Sequence, residues 1–262
     1  MDCTEEYNVK SIYYEETNSA VISYYEEPIK LGFKKIDTDT EEKKRTVEDE
    51  DYAKYVFYTN LIHTKNTIYD YAKSNNWDFF VTFTFAPEDR QVTQGIRKDR
   101  TVDRYNYEKC KKCISKWFNN IKNRICPNIK YLLIAEYHKD KAIHFHGLVS
   151  GITEEIGLIK HGENSYHAEK WKYGRNDFSE IKDKQRVTTY ITKYVTKEII
   201  ALPGKSRFIA SQGLNRAEPK KFYTELDFIG LLQEYIKMGF ELQHSRSGRN
   251  KTKYCYLSAK GA

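Results

Sequence analysis

Two histidines separated by one residue, His144-Phe145-His146, stand about forty residues upstream of the run Tyr190-Ile-Thr-Lys193-Tyr194-Val-Thr-Lys197. In a strand, successive side chains point to opposite faces, so His144 and His146 project to one side while Phe145 turns into a core. Two neutral imidazoles on one face can share an ion. The preceding run Tyr131-Leu-Leu-Ile-Ala-Glu136-Tyr137 also reads as a strand, and His138-Lys-Asp-Lys141 reads as the turn that joins the two into a hairpin. Glu136 then faces the histidines. Two imidazoles and one carboxylate leave coordination positions open, as a catalytic metal site requires, and the mixed nitrogen and oxygen donors suit a divalent ion such as Mg²⁺ or Mn²⁺. The same spacing also fits two solvent-facing histidines of a half-exposed sheet.

The second run carries hydroxyls. Val187, Ile191, Val195 and Ile199 recur every four residues, so the stretch Lys184 to Ala201 is expected to be an amphipathic helix. Tyr190, Lys193, Tyr194 and Lys197 would share a flank beside the apolar stripe, and tyrosines at i and i+4 are neighbours on a helix surface. A tyrosine that attacks phosphorus must lose its proton, and a lysine one turn away supplies positive charge for the phenolate or the phosphate. The chain has 22 tyrosines, so a core-edge placement of the pair is the competing reading.

In this order, the apolar strand Phe79-Phe-Val-Thr-Phe-Thr-Phe85, the His144-Phe-His146 strand and the Tyr190 to Lys197 helix resemble the HUH superfamily of rolling-circle replication initiators. Within it, the segments Asn66-Thr-Ile-Tyr-Asp-Tyr-Ala72, Trp77 to Phe85, Glu136 to Gly147 and Tyr190 to Glu198 are similar to replication-associated proteins of the filamentous-phage gene II type. The likeness covers roughly residues 60 to 215. It implies an α+β fold with a central antiparallel sheet and flanking helices. It also implies a metal-dependent nickase and strand transferase acting on single-stranded or origin hairpin DNA, which leaves a free 3′-OH and a 5′-phosphotyrosine link. His144, His146 and Glu136 would be the ligands of a divalent Mg or Mn ion, Tyr190 and Tyr194 the nucleophile positions with a slight preference for Tyr190, and Lys193 and Lys197 the supporting cations. An HUH transposase, a mobilisation relaxase and a non-catalytic DNA-binding protein of the same fold are the alternatives. An iron(II) oxygenase also uses two histidines and a carboxylate, but has no use for the tyrosine and lysine run.

Those residues need elements to hold them. Val47 to Ser74 reads as a long helix, and Tyr107, Cys110, Ile114, Trp117, Phe118, Ile121 and Ile125 follow helical spacing in a second one. That spacing gives Cys110 the place of a small apolar residue, against a zinc reading of Cys110-Lys-Lys-Cys113. Weak strands are expected near Gly157 to Lys160 and Asp177 to Ile181. Three parts follow: residues 1–47, an N-terminal extension with strand-like runs; 48–215, the endonuclease domain with its leading helix; and 216–262, a helical and basic C-terminal extension. Within the last, Ser245 to Lys253 reads as a mobile basic stretch. Gly204-Lys205-Ser206 lacks the leading glycine of a phosphate loop, so no ATP use is expected and a host helicase would unwind the DNA.

The 262 residues carry a net charge of +7 and are 31% charged, with a mean hydropathy of −0.78. Acidic partners are favoured. No run approaches the ~18 apolar residues of a membrane span, and the first residues lack the pattern of a signal peptide. Five scattered cysteines form no secreted disulfide framework. A cytoplasmic protein with no membrane partner is therefore expected, its oligomeric state open.

Overall fold

The computed structural model describes residues 6–31, 50–195, 208–248 and 250–260. In chain order its elements are β1 (Glu6–Tyr14), β2 (Ser19–Lys30), α1 (Glu50–Lys73), β3 (Phe79–Thr84), α2 (Glu88–Thr93), α3 (Tyr107–Arg124), β4 (Lys130–Tyr137) and β5 (Ile143–Ser150). There follow β6 (Leu158–Lys160), β7 (Ser165–Ala168), β8 (Asn176–Glu180), α4 (Lys184–Tyr190), β9 (Phe208–Ala210), β10 (Lys220–Phe222), α5 (Phe228–Lys237), β11 (Phe240–Ser247) and β12 (Thr252–Ala259). The fold is α+β, built on two antiparallel sheets.

The chain divides into two compact units, Glu50–Asn215 and a second made of Met1–Asp49 with Arg216–Ala262. In the first, seven strands run in the order β6-β7-β8-β3-β5-β4-β9. Alternation along the central strands gives the sheet two apolar faces. On one side Val81, Phe83, Phe145, Leu133 and Phe178 pack against Tyr107, Cys110, Ile114, Trp117, Phe118 and Ile121 of α3. These are the helical positions read from the sequence, and Cys110 is fully buried among them. Asn106 caps α3 by accepting from the backbone N–H of Lys109. On the other side Leu132, Ile134 and Leu148 meet Ile68 and Ala72 of α1, Trp77, Ile191 and Val195.

The hairpin of β4 and β5 has the expected register, with Glu136 opposite His144 and Ile134 opposite His146. Its turn is closed by Asp140, which accepts from the backbone N–H of Ala142, and by Lys141 at φ +68°. Strands β6 and β8 lie where weak strands are expected, and β7 joins them at the sheet edge.

The helix expected over Lys184 to Ala201 is shorter. The α-helix ends at Tyr190, a 3-10 turn covers Ile191–Tyr194, and Val195 leaves helical geometry. The composition supplies the reason. Val187, Thr188, Thr189, Ile191, Thr192 and Val195 are all β-branched, and the threonine hydroxyls bond backward to helix carbonyls: Thr188 to Lys184 and Gln185, Thr189 to Gln185, Thr192 to Thr189. Lys197, Ile199 and the Gly204-Lys205-Ser206 stretch lie outside the described residues.

In the second unit, five strands run β10-β1-β2-β12-β11, so segments from both ends of the chain share one sheet. Val9, Ala20, Ile22, Cys255, Leu257 and Leu231 of α5 form its core. The basic stretch Ser245 to Lys253, expected to be mobile, contributes to the β11–β12 hairpin, with Arg246 opposite Tyr254 and Ser247 opposite Lys253. The physical reason is the period-2 alternation that follows it: Cys255 and Leu257 are buried while Tyr254 and Tyr256 face the other way. Of the expected helical C-terminal extension, α5 is helical and the remaining elements are strands.

Candidate active site

Three neighbouring strands build the floor of the site. Thr82 of β3 lies opposite His146 and Thr84 opposite His144 on one side of β5, while Glu136 lies opposite His144 on the other. All five side chains therefore share the face that carries α1 and the tyrosine turn. His146 Nε2 is 3.1 Å from Glu136 Oε2, and its Nδ1 is 3.1 Å from Thr82 Oγ1. Burial, then the adjacent His144, pulls the His146 pKa down to about 4. The imidazole is thus neutral at neutral pH. Its contact with Glu136 is an Nε2–H donating to a carboxylate, not an ion pair, and Nδ1 accepts from the Thr82 hydroxyl.

His144 is also held below its ordinary value, first by burial and then by His138. Its ring stacks on that of His138, centroids 4.7 Å apart, and lies 6.4 Å from the His146 ring. His138 in turn contacts Asp140, 3.2 Å away, and Arg104 reaches the same carboxylate at 3.3 Å. Glu136 and His146 are in direct contact, and His144 stands beside them turned toward His138. Among the described residues, no three histidine, cysteine or carboxylate side chains already converge on one point. Two donor atoms each about 2.1 Å from an ion at right angles lie about 3 Å apart, so the Glu136–His146 edge suits a coordination sphere. Both imidazoles are in the neutral form that metal binding needs.

Tyrosine placement is the second half of the site. Ile191 and Val195 are buried beneath the 3-10 turn and fasten it to the sheet. That anchoring puts the Tyr194 ring on the His146 ring, centroids 4.0 Å apart and 21° from parallel. Phe80, one alternation before Thr82 on β3, touches His146, Tyr190 and Tyr194. The two hydroxyls are 3.1 Å apart, with Tyr194 donating to Tyr190. Tyr194 holds its proton more firmly than a free tyrosine, first because of burial, then because of Tyr190 and Glu136. Tyr190 is the more open of the two at 38% exposure, and the Lys193 ammonium sits 4.1 Å from its ring centroid.

Six of the seven residues singled out by type and spacing thus gather on one patch: Glu136, His144, His146, Tyr190, Lys193 and Tyr194. The seventh, Lys197, lies outside the described residues. Sequence reasoning missed Phe80, Thr82 and His138. For the first two the signal is present in the alternation of Phe79 to Phe85, which sends Phe80, Thr82 and Thr84 to one side; His138 has no such signal.

Residues 78–199 match the family model of the replication-associated proteins of the ORF2 and phage gene II type. The match covers just under half of the chain, begins one residue before β3 and contains every one of the seven residues. It supports a replication-associated protein. No curated protein and no solved structure matches the chain. Among the described residues, no helix is long and apolar enough to cross a membrane.

Proposed function

We propose that the chain initiates rolling-circle replication by nicking single-stranded or hairpin origin DNA through tyrosine attack, and later rejoins the strands. The observation that carries this reading is the Tyr194–His146 stack, which sets two hydroxyls directly over a buried imidazole and carboxylate.

Tyr190 is the first nucleophile. Its oxygen accepts a hydrogen bond from Tyr194, a bond that strengthens as the phenolate forms, and the Lys193 charge over its ring favours the same state. Its exposure leaves room for a phosphodiester. Attack forms the bond from Tyr190 oxygen to phosphorus and breaks the bond from phosphorus to O3′, which departs as the free 3′-hydroxyl carrying the proton that the phenol gave up. Bond energy is retained in the phosphotyrosine link, so a later attack can rejoin the strand. Tyr194, a few ångströms away, is placed to make that second attack.

Glu136, His144 and His146 would hold a divalent ion, Mg²⁺ or Mn²⁺, which when bound supplies the positive charge that polarises the scissile phosphate. His144 must turn from His138 to join the other two. Lys197 completes the set of cations. The reaction would take place in the cytoplasm, with a separate host helicase to open the duplex.

The test incubates the full chain with Mn²⁺ and labelled single-stranded oligonucleotides tiled across the encoding replicon, and reads the covalent adduct on denaturing gels. Tyr190→Phe is expected to abolish the first adduct. Tyr194→Phe, which removes one hydrogen bond of about 1 kcal/mol, should slow it by roughly fivefold to tenfold. An adduct lost in Tyr194→Phe and kept in Tyr190→Phe would reverse the two roles. Absence of any adduct with the unmodified chain on every oligonucleotide would overturn the nicking reading.

A further inference from the structure

Across β3 from the histidines, the same row of the sheet continues. Thr82, opposite His146 on one side, lies opposite Asp177 of β8 on the other. Asp177 is bound by His161, whose Nε2 is 3.0 Å from Oδ1, and the rings of His161 and His167 are 5.7 Å apart. Beside this pair opens a cavity of about 410 Å³, lined by Gln94, His161, His167, Trp171, Lys172 and Arg175 among others. Its volume is in the range of small-molecule sites.

The wall is preformed. The loop that carries Trp171 to Arg175 is pinned to the end of β3: Thr84 N–H donates to the Arg175 carbonyl at 2.9 Å, Ala86 N–H to Tyr173 at 2.8 Å, and Trp171 Nε1 to Thr84 at 3.3 Å. Gly174 lies so close to this strand that a Cβ would strike the Thr84 carbonyl and the Ala86 nitrogen. Lys172 and Arg175 are exposed at the rim, and their side chains make no hydrogen bond or ion pair among the described residues. Gln94 and the imidazoles bring donors and acceptors of the kind that read base edges. Glu169 is the one carboxylate on the lining.

Position gives the cavity its ligand. Two strand spacings of about 4.8 Å separate Asp177 from His146, so the cavity lies about 10 Å from the tyrosine patch, the span of about three stacked nucleotides. We infer that this cavity receives one nucleotide of the DNA strand whose phosphodiester lies at Tyr190, with Lys172 and Arg175 on its phosphate and Gln94, His161 and His167 on its base. It is thereby a specificity pocket for the nicked sequence, and it rests on the DNA reading above.

The test separates the two claims by measuring equilibrium binding, which needs no chemistry. A fluorescent, randomised pool of single-stranded oligonucleotides is titrated with the full chain, with Lys172→Ala/Arg175→Ala, with Gln94→Ala/His167→Ala and with Tyr190→Phe, at several salt concentrations. Circular dichroism checks that each variant is folded. The first pair should weaken binding roughly tenfold or more and lower the salt slope by about two, whereas Tyr190→Phe should bind as the unmodified chain does. Sequencing of the retained pool should show a base preference at one position that Gln94→Ala/His167→Ala flattens. Unchanged affinity and salt slope in the first pair, an unchanged base preference in the second, or no binding of the pool at all would overturn the pocket. Loss of adduct formation with pocket binding intact would overturn the nicking reading alone.

Discussion

The buried imidazole of His146 and the buried ammonium of Lys73 show how one side chain carries the cost of its surroundings. His146 answers burial by staying neutral, held between Thr82 and Glu136. Lys73, in the last turn of α1, is 4% exposed, and burial lowers its pKa from 10.5 to about 8, against a smaller upward pull from Asp183. A group whose charged form is disfavoured in the folded state costs stability below its folded pKa, where it is charged folded and unfolded alike. It costs nothing above its unfolded pKa, where it is neutral in both. The penalty is therefore full below about pH 8 and fades as the pH rises to 10.5. Lys73→Met, similar in length and without the charge, should be more stable than the parent at pH 7 by up to roughly 3 kcal/mol, and the gain should vanish by pH 10.5. Denaturant midpoints of the two proteins at both pH values check this; an equal difference at both would mean that the ammonium carries no burial penalty.

At the scale of elements, the site depends on how closely β4 and β5 approach. Gly147 follows His146, and a Cβ there would press on the Leu132 carbonyl and the Leu133 side chain of β4. Gly147→Ala should therefore cost about 1–3 kcal/mol by overpacking and also spread Glu136 from His146. It is expected to lower the thermal midpoint, and to lower adduct formation at temperatures where the protein is still folded. A folded variant with full adduct formation would show that the strand spacing is not what sets the site. This hairpin was legible from the sequence because alternation, a polar turn and the His-x-His spacing all act within some twenty residues. The α3 helix was legible for the same reason, from its apolar period. The tyrosine helix was legible only in part. Its four-residue apolar period is real, since Ile191 and Val195 are buried, but periodicity does not report the threonine hydroxyls that compete for backbone carbonyls and tighten the chain into a 3-10 turn. The Tyr194–His146 stack joins residues 48 positions apart and has no local signature at all.

Over the whole molecule, the least legible feature is the partnership of the chain's two ends. Strand β2 lies between β1 and β12, pairing Ile22 with Cys255 and Ala20 with Leu257, across more than two hundred residues of sequence. Each segment alone shows strand-like alternation, but nothing local in either one says which partner it takes. The resulting core of Val9, Ala20, Ile22, Leu231, Cys255 and Leu257 shares no residue with the two cores that clothe the seven-stranded sheet. Stability held in separate cores can be lost separately. Leu257 is 2% exposed, and Leu257→Ala leaves a cavity that should cost about 2–5 kcal/mol in its own unit. Hydrogen exchange resolved by residue is the decisive measurement. The amides of β1, β2 and β12 should exchange faster by a factor of roughly thirty or more, while those of β3, β4 and β5, which hold the tyrosine and histidine patch, keep their protection. A parallel loss in both sets would mean that the two units unfold as one, and that damage to the joined ends reaches the catalytic patch through stability alone.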